Sequence, residues 1–563
     1  MRSLRVAVEG CGHGTLHAIY ASVAKASKAR EWGNVDLLII GGDFQAIRNA
    51  SDLTVMACPV KYRKIGDFHS YYSGARKAPY LTIFVGGNHE ASSHLWELFY
   101  GGWVAPNIYY MGAANILRVG GVRIAGMSGI WKGYNFRKSH YERLPYNQDD
   151  IRSIYHVREI ETRKLLQIRT QVDVGISHDW PKSIETYGNT KKLFKNKPDF
   201  QKESRDGTFG NVAAKLVMDR LRPPYWFSAH MHCKHAAIKV YDESSSKISN
   251  DDTLSSSSTT QSMKQDVFRN KDEIDLGLEQ IENNEASIGA LEFKKDTGLK
   301  LDQTGNDCNK LVRTNYDATS MEFESQCSKN NEETKSSIPL NVCAQLPATF
   351  PRLNSNPLLP STEITNKTVR FLSLDKCLPG RKFLQLLTID PQNTLASSNP
   401  LKDQRLKFEY DPEWLAITRA FDSAMIFGDR NAQTPPDLGE AHYLPLIQKE
   451  LEWVNEHVVK AGKLEIPENF QITATPYQPG KPEIVKEGPL EYNNPQTQQF
   501  CELIGITNKL FATEEERADR LRKGPAPVNE INRGDLKRDN SKNRKSNFNR
   551  NSRNFRGSRG RKC

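Results

Sequence analysis

Over residues 1 to 242, short runs of β-branched and aliphatic residues alternate with longer mixed stretches. The runs Leu4 to Glu9, Val35 to Ile40, Tyr80 to Val85, Val122 to Ala125, Val172 to Ile176 and Tyr225 to Ser228 read as strands. They are almost continuously apolar, which predicts strands covered on both faces. The stretches between them, such as Thr15 to Glu31, are long enough for crossover helices, so the pattern predicts a layered α/β domain.

The pattern stops at residue 243. From there to residue 365 the chain is rich in Ser, Asn, Asp, Glu and Lys, with five aromatics and no Trp. That is too little apolar mass to offset the entropy of ordering, so 243–365 is expected to be a disordered insertion. Strand-like runs return at Val369 to Leu374 and Phe383 to Ile389, around the turn-prone Pro379-Gly380, which places the insertion between consecutive strands of one domain. Two amphipathic stretches, Pro412 to Phe421 and Leu444 to Val459, predict helices that pack on the core through Trp414 and Trp453. These signals divide the chain into a first domain (1–242), the insertion (243–365) and a continuation of the domain with a helical region (366–465). A partly ordered segment rich in Pro and Gly (466–523) and a disordered tail (524–563) follow.

Charge changes the picture only at the end. The chain has a formal net charge of +11, and residues 533 to 563 hold 12 Lys or Arg against 2 Asp, a net of +10. The body is therefore nearly neutral and the tail basic, which points to a polyanionic partner. The nine cysteines are odd in number and irregularly spaced, and a reducing compartment accounts for them better than a disulfide framework. No run approaches the roughly 18 apolar residues needed to span a bilayer, so neither secretion nor membrane insertion is expected.

Five segments place metal-type ligands just after predicted strands: Cys11-Gly12-His13, Gly42-Asp43, Gly87-Asn88-His89-Glu90, His178-Asp179 and His230-Met231-His232. In an α/β sheet the loops after the carboxyl ends of strands converge on one edge. Residues two apart on an extended segment project to the same side, so Cys11 and His13 could grip one ion. His230 and His232 could do the same, or a small turn between them could aim each at a different ion. Asp43 can bridge two cations through its two oxygens, and Asn88 adds a neutral oxygen. Two divalent ions about 3.5 to 4 Å apart can share a hydroxide and clamp a phosphodiester for in-line attack.

The order Cys-x-His, Gly-Asp, Gly-Asn-His-Glu, His, His-x-His resembles the metallophosphoesterase signature, and Cys11 in place of the usual Asp resembles the RNA lariat debranching enzymes. GGDFQAIRN (41 to 49), GGNHEASSHL (86 to 95), YGGWVAPNIYYMG (100 to 112), SIYHVR (153 to 158), SHDWP (177 to 181) and FLSLDKCLP (371 to 379) resemble that family too. Gly12 departs from it, standing where many members carry a second, non-ligating cysteine. The resemblance implies a metallophosphoesterase β-sandwich flanked by helices, with 1–242 as the catalytic domain. It implies one metal on Cys11, His13, Asp43 and His232, a second on Asp43, Asn88, His178 and His230, and His89 as proton donor to the departing 2′ oxygen. Glu90 and Asp179 are implied to orient the histidines. The thiolate favours Zn(II) or Fe(II) over Mg(II) at the first site while the second is less selective, so a native Fe(II)/Zn(II) pair is expected, with Mn(II) able to substitute. The activity implied is hydrolysis of the 2′-5′ bond at the branch point of excised introns, giving a free 2′-hydroxyl and a 5′-phosphate, in mRNA processing in the nucleus.

Residues 131 to 146, WKGYNFRKSHYERLPY, interleave aromatics with basic residues, as segments that hold single-stranded RNA do. The family places a recognition loop here, which makes Tyr134, Arg137, Lys138, His140 and Tyr141 candidates for substrate contact; an ordinary surface loop is the plainer alternative. A weaker basic-aromatic stretch, 61 to 77, reads equally well as a surface helix. The Arg-Gly-rich tail would serve as an RNA-binding arm or a nuclear address, and the insertion or tail could dock spliceosomal or intron-binding proteins on a monomeric enzyme. Two competing readings share the signature: another metallophosphoesterase, acting on nucleotides or phosphoproteins, and a non-catalytic scaffold of calcineurin-like fold.

Overall fold

The computed structural model describes residues 3–241, 360–391 and 406–528. The strands are β1 (Leu4–Glu9), β2 (Leu37–Ile40), β3 (Leu81–Phe84), β4 (Gly102–Ala105), β5 (Ile108–Tyr110), β6 (Ala114–Val119), β7 (Val122–Met127), β8 (Val174–Ser177), β9 (Tyr225–Ser228), β10 (His235–Val240), β11 (Thr368–Ser373), β12 (Leu384–Ile389) and β13 (Phe408–Tyr410). They form a six-stranded sheet in the order β12-β1-β2-β3-β5-β4 and a seven-stranded sheet in the order β10-β11-β9-β8-β7-β6-β13. The centre of each sheet is parallel: β1, β2, β3 and β5 in the first, β7, β8, β9 and β11 in the second.

The apolar runs follow from packing on two faces. Val6, Val8, Leu37, Ile39 and Ile83 of the first sheet share a core with Ile116, Ile124, Val174, Ile176 and Phe371 of the second. On the other face of the first sheet, Ala7, Leu38, Ile40 and Phe84 pack with Leu16, Ile19, Tyr20 and Val23 of the helix Leu16–Ala29. Each fully covered Leu, Ile or Val contributes about 1.5 to 3 kcal/mol relative to exposure, and this double coverage is what fixes strand order and facing. The arrangement is the expected α/β sandwich flanked by helices. Five of the thirteen strands among the described residues, β4, β5, β6, β10 and β13, were not among the predicted runs. Edge strand β10 shows why: its inward positions are His235, Ala237 and Lys239 while Ile238 and Val240 face outward, so the apolar residues do not mark its buried face.

The insertion enters after β10 and leaves before β11, which pair antiparallel with Val240 opposite Thr368. Most of the expected 243–365 segment lies outside the described residues, but order returns earlier than expected, because Ser361 and Ile364 are already buried. The two predicted helices are present as Pro412–Ala420 and Glu440–Val454, the latter continuing through a wider turn at Asn455–Val459. Trp414 is buried as expected, and Trp453 is half-buried, with Arg419 over its ring.

Residues 466–494 contain no helix or strand yet are tied down across the first domain. The Tyr72 hydroxyl accepts from Thr473 and Ala474 N–H and donates to the Ala474 carbonyl. Tyr477 N–H donates to Arg48 O at 2.7 Å. Arg48 is fully buried, held by Asp52 and Glu97 and closed over by Thr473. The segment ends in helices Pro495–Leu503 and Glu514–Lys523. The start of the expected tail is also anchored, since Asn147 Nδ2 donates to Ala526 O at 2.9 Å. The remainder of the tail, from 529, lies outside the described residues.

Candidate metal centre

All five ligand segments lie at carboxyl ends of parallel strands, after β1, β2 and β3 of one sheet and after β8 and β9 of the other. They meet at Asp43. One ligand atom each from Cys11, His13, Asp43 and His232 lie within 4.8 Å of one another. His13 Nε2 is 3.7 Å from Asp43 Oδ2, and His178 Nε2 is 3.4 Å from Asp43 Oδ1, so the two carboxylate oxygens face different histidines. The His178 and His230 ring centroids are 5.0 Å apart, and those of His13 and His232 are 5.2 Å apart. The two halves expected from the sequence are therefore brought together around one bridging carboxylate.

The backbone here departs from the extended geometry expected of Cys11 to His13, and between His230 and His232 it takes the turn that was the alternative reading. His13, Asp43, His230 and His232 all have φ between 42° and 60°, in the left-handed region that L-residues disfavour. Such conformations cost of order 1 to 3 kcal/mol each and persist where the surroundings enforce them. The His-x-His segment is thus a turn, and it sends His230 toward His178 and His232 toward His13. Gly42, with φ of +119°, is required for a second reason: a Cβ there would lie 2.2 Å from His178 Nδ1. At Gly87 a Cβ would lie 2.2 Å from Asp43 Oδ1.

Protonation states suit cation binding. Burial lowers His13 to about 4, His230 to about 3 and His232 to about 2, so the rings are neutral near pH 7. Burial also raises the Asp43 carboxyl, but the surrounding imidazoles, His178 foremost, outweigh it and hold Asp43 well below the usual carboxylate range. Burial and then Asp43 push the Cys11 thiol far up, so the protein alone keeps it protonated. A bound cation would reverse that, because coordination deprotonates a thiol outright.

Three features fit these residues to a pair of cations. The neutral nitrogens His13 Nε2 and His232 Nε2 face each other at 3.1 Å. Asn88 Oδ1 and His178 Nε2 are buried with no hydrogen-bond partner among the described residues. The donor set mixes one sulfur with imidazoles and oxygens, a combination suited to transition metals.

The supporting contacts differ from those expected. Glu90 does not orient a histidine; its carboxylate accepts from Phe44, Gln45 and Gly87 N–H at 2.8, 2.7 and 2.9 Å, tying the second and third ligand loops together. Burial, and then Asp43, raise its carboxyl to about 8. Asp179 likewise accepts from the backbone of Trp131 and Trp180. The histidines are oriented by other groups. His178 Nδ1–H donates to Gly41 O at 2.9 Å, and the Gln45 amide meets His13 Nδ1 at 3.3 Å. Gln45 lies within the GGDFQAIRN motif, but nothing in its residue type marked it out. His89 borders the centre, its ring centroid 6.1 Å from that of His13, with Nδ1 buried and unpartnered among the described residues.

The candidate recognition loop divides. His140 is buried and pairs with Glu161 at 3.0 Å, and Tyr141 is buried with its hydroxyl donating to Ser153 Oγ at 3.0 Å. Both are part of the packed interior rather than an RNA surface, because the loop folds under at the consecutive residues 139–141: Ser139 bonds to Asp429 O and Ala432 O, and His140 and Tyr141 pack on Glu161 and Ser153. Lys138 is half-covered and lies over the Tyr141 ring. Arg137 is more than half exposed beside Glu159, and Tyr134 is 67 % exposed, edge-on to His156. In the weaker stretch 61–77, Phe68–Tyr72 is a helix with Phe68, Tyr71 and Tyr72 buried, while Val60 and Tyr62 remain exposed.

Residues 4–234 match the calcineurin-like phosphoesterases, a class whose members use divalent metals, in keeping with the candidate metal-binding group of Cys11, His13, Asp43 and His232. Residues 366–509 match the C-terminal domain of lariat debranching enzymes. The chain is 37% identical over 513 residues to the lariat debranching enzyme of Schizosaccharomyces pombe, covering 90% of this chain and 96% of that one. It is 37% identical over 504 residues to the Homo sapiens lariat debranching enzyme (89% and 69% covered) and 35% identical over 520 residues to lariat debranching enzyme A of Xenopus laevis (92% and 73%). The chain belongs to the lariat debranching enzyme family. Among the described residues no helix is long and apolar enough to cross a membrane.

Proposed function

We propose that this chain hydrolyses the 2′-5′ phosphodiester at the branch point of excised intron lariats, releasing a free 2′-hydroxyl and a 5′-phosphate. The observation that carries this reading is the convergence of Cys11, His13, Asp43, Asn88, His178, His230 and His232 on one edge, with His89 beside them, in a chain of this family.

Cys11, His13, Asp43 and His232 would hold one cation, and Asp43, Asn88, His178 and His230 the other. Bound there, two divalent cations supply charge neutralisation for the phosphodiester and an activated water. The rest is done by the protein. Asp43 fixes the separation of the two halves, the Glu90 carboxylate locks the loops that carry Asp43 and Asn88, and His89 delivers a proton to the departing 2′ oxygen. The thiol of Cys11 supports Fe(II) or Zn(II) rather than Mg(II) at the first position, and the proposed pair is Fe(II)/Zn(II), which Mn(II) can replace. The basic sequence from 529 onward supports a nuclear location and a second contact with RNA.

The filled ligand set disfavours a non-catalytic scaffold. Incubating the purified protein with a synthetic branched RNA and with its 3′-5′ linked counterpart tests the proposal through the released ends. Selective opening of the 2′-5′ bond is expected; equal turnover of both linkages would assign the chain to a broader phosphodiesterase activity.

A further inference from the structure

Two lysines stand at opposite ends of the metal centre. Lys376 follows β11; its backbone bridges to Cys11, whose N–H donates to Asp375 O at 3.3 Å. It therefore lies on the side of His13 and His232, and its charge is among those that lower both imidazoles. Lys132 lies on the other side. It follows Trp131, whose N–H donates to Asp179 Oδ2 at 3.3 Å, directly after His178, and its charge acts on His230. Both lysines are partly buried, and among the described residues neither forms an ion pair. Other partly covered lysines do: Lys239 pairs with Asp219 and Lys509 with Asp422.

Lys132 also acts on the Asp179 carboxyl without reaching ion-pair distance, so each lysine, having no ion pair of its own among the described residues, is able to receive an anion from outside. Resting on the proposed debranching activity, the chemistry of that anion follows. The branch nucleotide carries a 3′ and a 5′ phosphate in addition to the scissile 2′ phosphate, and these two leave it in different directions. We propose that Lys132 and Lys376 each bind the phosphate of a different arm, so that the branch nucleotide is held across the metal centre from both ends. A nucleotide lacking one arm would engage only one lysine, which gives the site a means of distinguishing a branch from a linear chain.

The test uses metal-loaded protein carrying His89→Ala, which slows turnover during binding measurements, and two synthetic RNAs: one branched, one with the same 2′-5′ linkage but no 3′ arm. Each lysine that meets a phosphate contributes about 0.7 to the slope of log affinity against log salt for single strands. On the branched RNA, Lys132→Gln and Lys376→Gln should each reduce the slope by about 0.7, and the pair by about 1.4, with Lys→Arg restoring it. On the RNA lacking the 3′ arm only one of the two substitutions should matter. Slopes unmoved by either change, or moved by both on the shortened RNA, would overturn the proposal. Thermal melting of each variant, with the Arg replacements as folded controls, separates lost contacts from lost structure. Failure of the debranching reading is seen separately, as equal opening of 2′-5′ and 3′-5′ linkages by the unaltered protein.

Discussion

The backbone N–H of His89 donates to Oδ1 of Asp43 at 2.8 Å. The carboxylate that joins the two halves of the centre is thus held by the main chain of the residue placed to donate the proton, and metal spacing and acid position are set by one contact.

Because that contact is to the main chain, His89→Ala should leave the cation sites intact. Turnover of branched RNA is expected to fall by about 10²- to 10⁴-fold, the range for loss of a general acid, while elemental analysis still finds the metal content of the unaltered protein. Loss of metal together with activity would instead make His89 a ligand.

Gly42→Ala tests the geometry rather than the chemistry. The new Cβ would meet His178 Nδ1 at 2.2 Å on a backbone with φ of +119°, so His178 must leave its place against Gly41 O. Stoichiometric metal should drop by about one ion per chain. Full metal content in the variant would show that His178 is not needed for the second ion.

Cys11→Ser replaces a soft ligand by a hard one. Zn(II) affinity should fall by more than the roughly 10- to 100-fold that loss of a supporting contact costs, while activity with added Mn(II) is better preserved. Competitive titration with a zinc chelator measures the first and turnover in Mn(II) the second. Unchanged affinity for Zn(II) would remove Cys11 from the ligand set.

Tyr134 and His140, six residues apart in the same loop but in different environments, should respond oppositely. Tyr134→Ala removes an exposed ring and should raise KM for branched RNA by about 5- to 150-fold, the worth of one stacked base, with no change in Tm. His140→Ala removes one of the groups that face the buried Glu161, leaving Lys164, and should destabilise the fold by about 1 to 3 kcal/mol. A stable His140→Ala protein with poor RNA binding would restore His140 to the recognition surface.

Acid stability has a defined source at the join between the domain and its continuation. Burial raises the Asp411 carboxyl, but Arg123 and Arg118 outweigh it and hold it at about 2. A carboxyl whose folded pKa lies below its unfolded value of about 3.9 stabilises fully above 3.9, and this contribution is lost as pH falls toward 2. Asp411→Asn should therefore flatten the acid limb of the stability curve by about 2 to 3 kcal/mol, read from urea midpoints between neutral pH and pH 2.

Much of the architecture could be read from the chain because parallel strands covered on two faces leave continuous apolar runs; Leu4–Glu9 and Tyr225–Ser228 were placed to the residue. Edge strands such as β10 and β13 were not, since β10 buries His235 and Lys239 in place of apolar residues and β13 is only three residues long. The ligand set was legible through residue type and spacing. Its geometry was legible only in part: the turn between His230 and His232 was one of two readings of that spacing, but the left-handed backbone at His13 and Asp43 left no mark in residue type. Nor could spacing reveal that Glu90 binds three backbone amides, or that His140 and Tyr141 turn inward, because a mixed aromatic and basic loop has the same composition on either face of its layer.

The register of β11 with its neighbours fixes where the long central insertion is attached. Because β11 runs parallel to β9, Ser373 pairs with Ser228 at the ligand edge, and Thr368, opposite Val240, lies at the far rim of the sheet. Five residues at about 3.3 Å each put some 16 Å of strand between that attachment and the chemistry. The cost of joining two pinned ends grows only with the logarithm of the length between them. Extra sequence can therefore be added or trimmed at this rim, or another domain spliced in, while the reacting groups stay where they are.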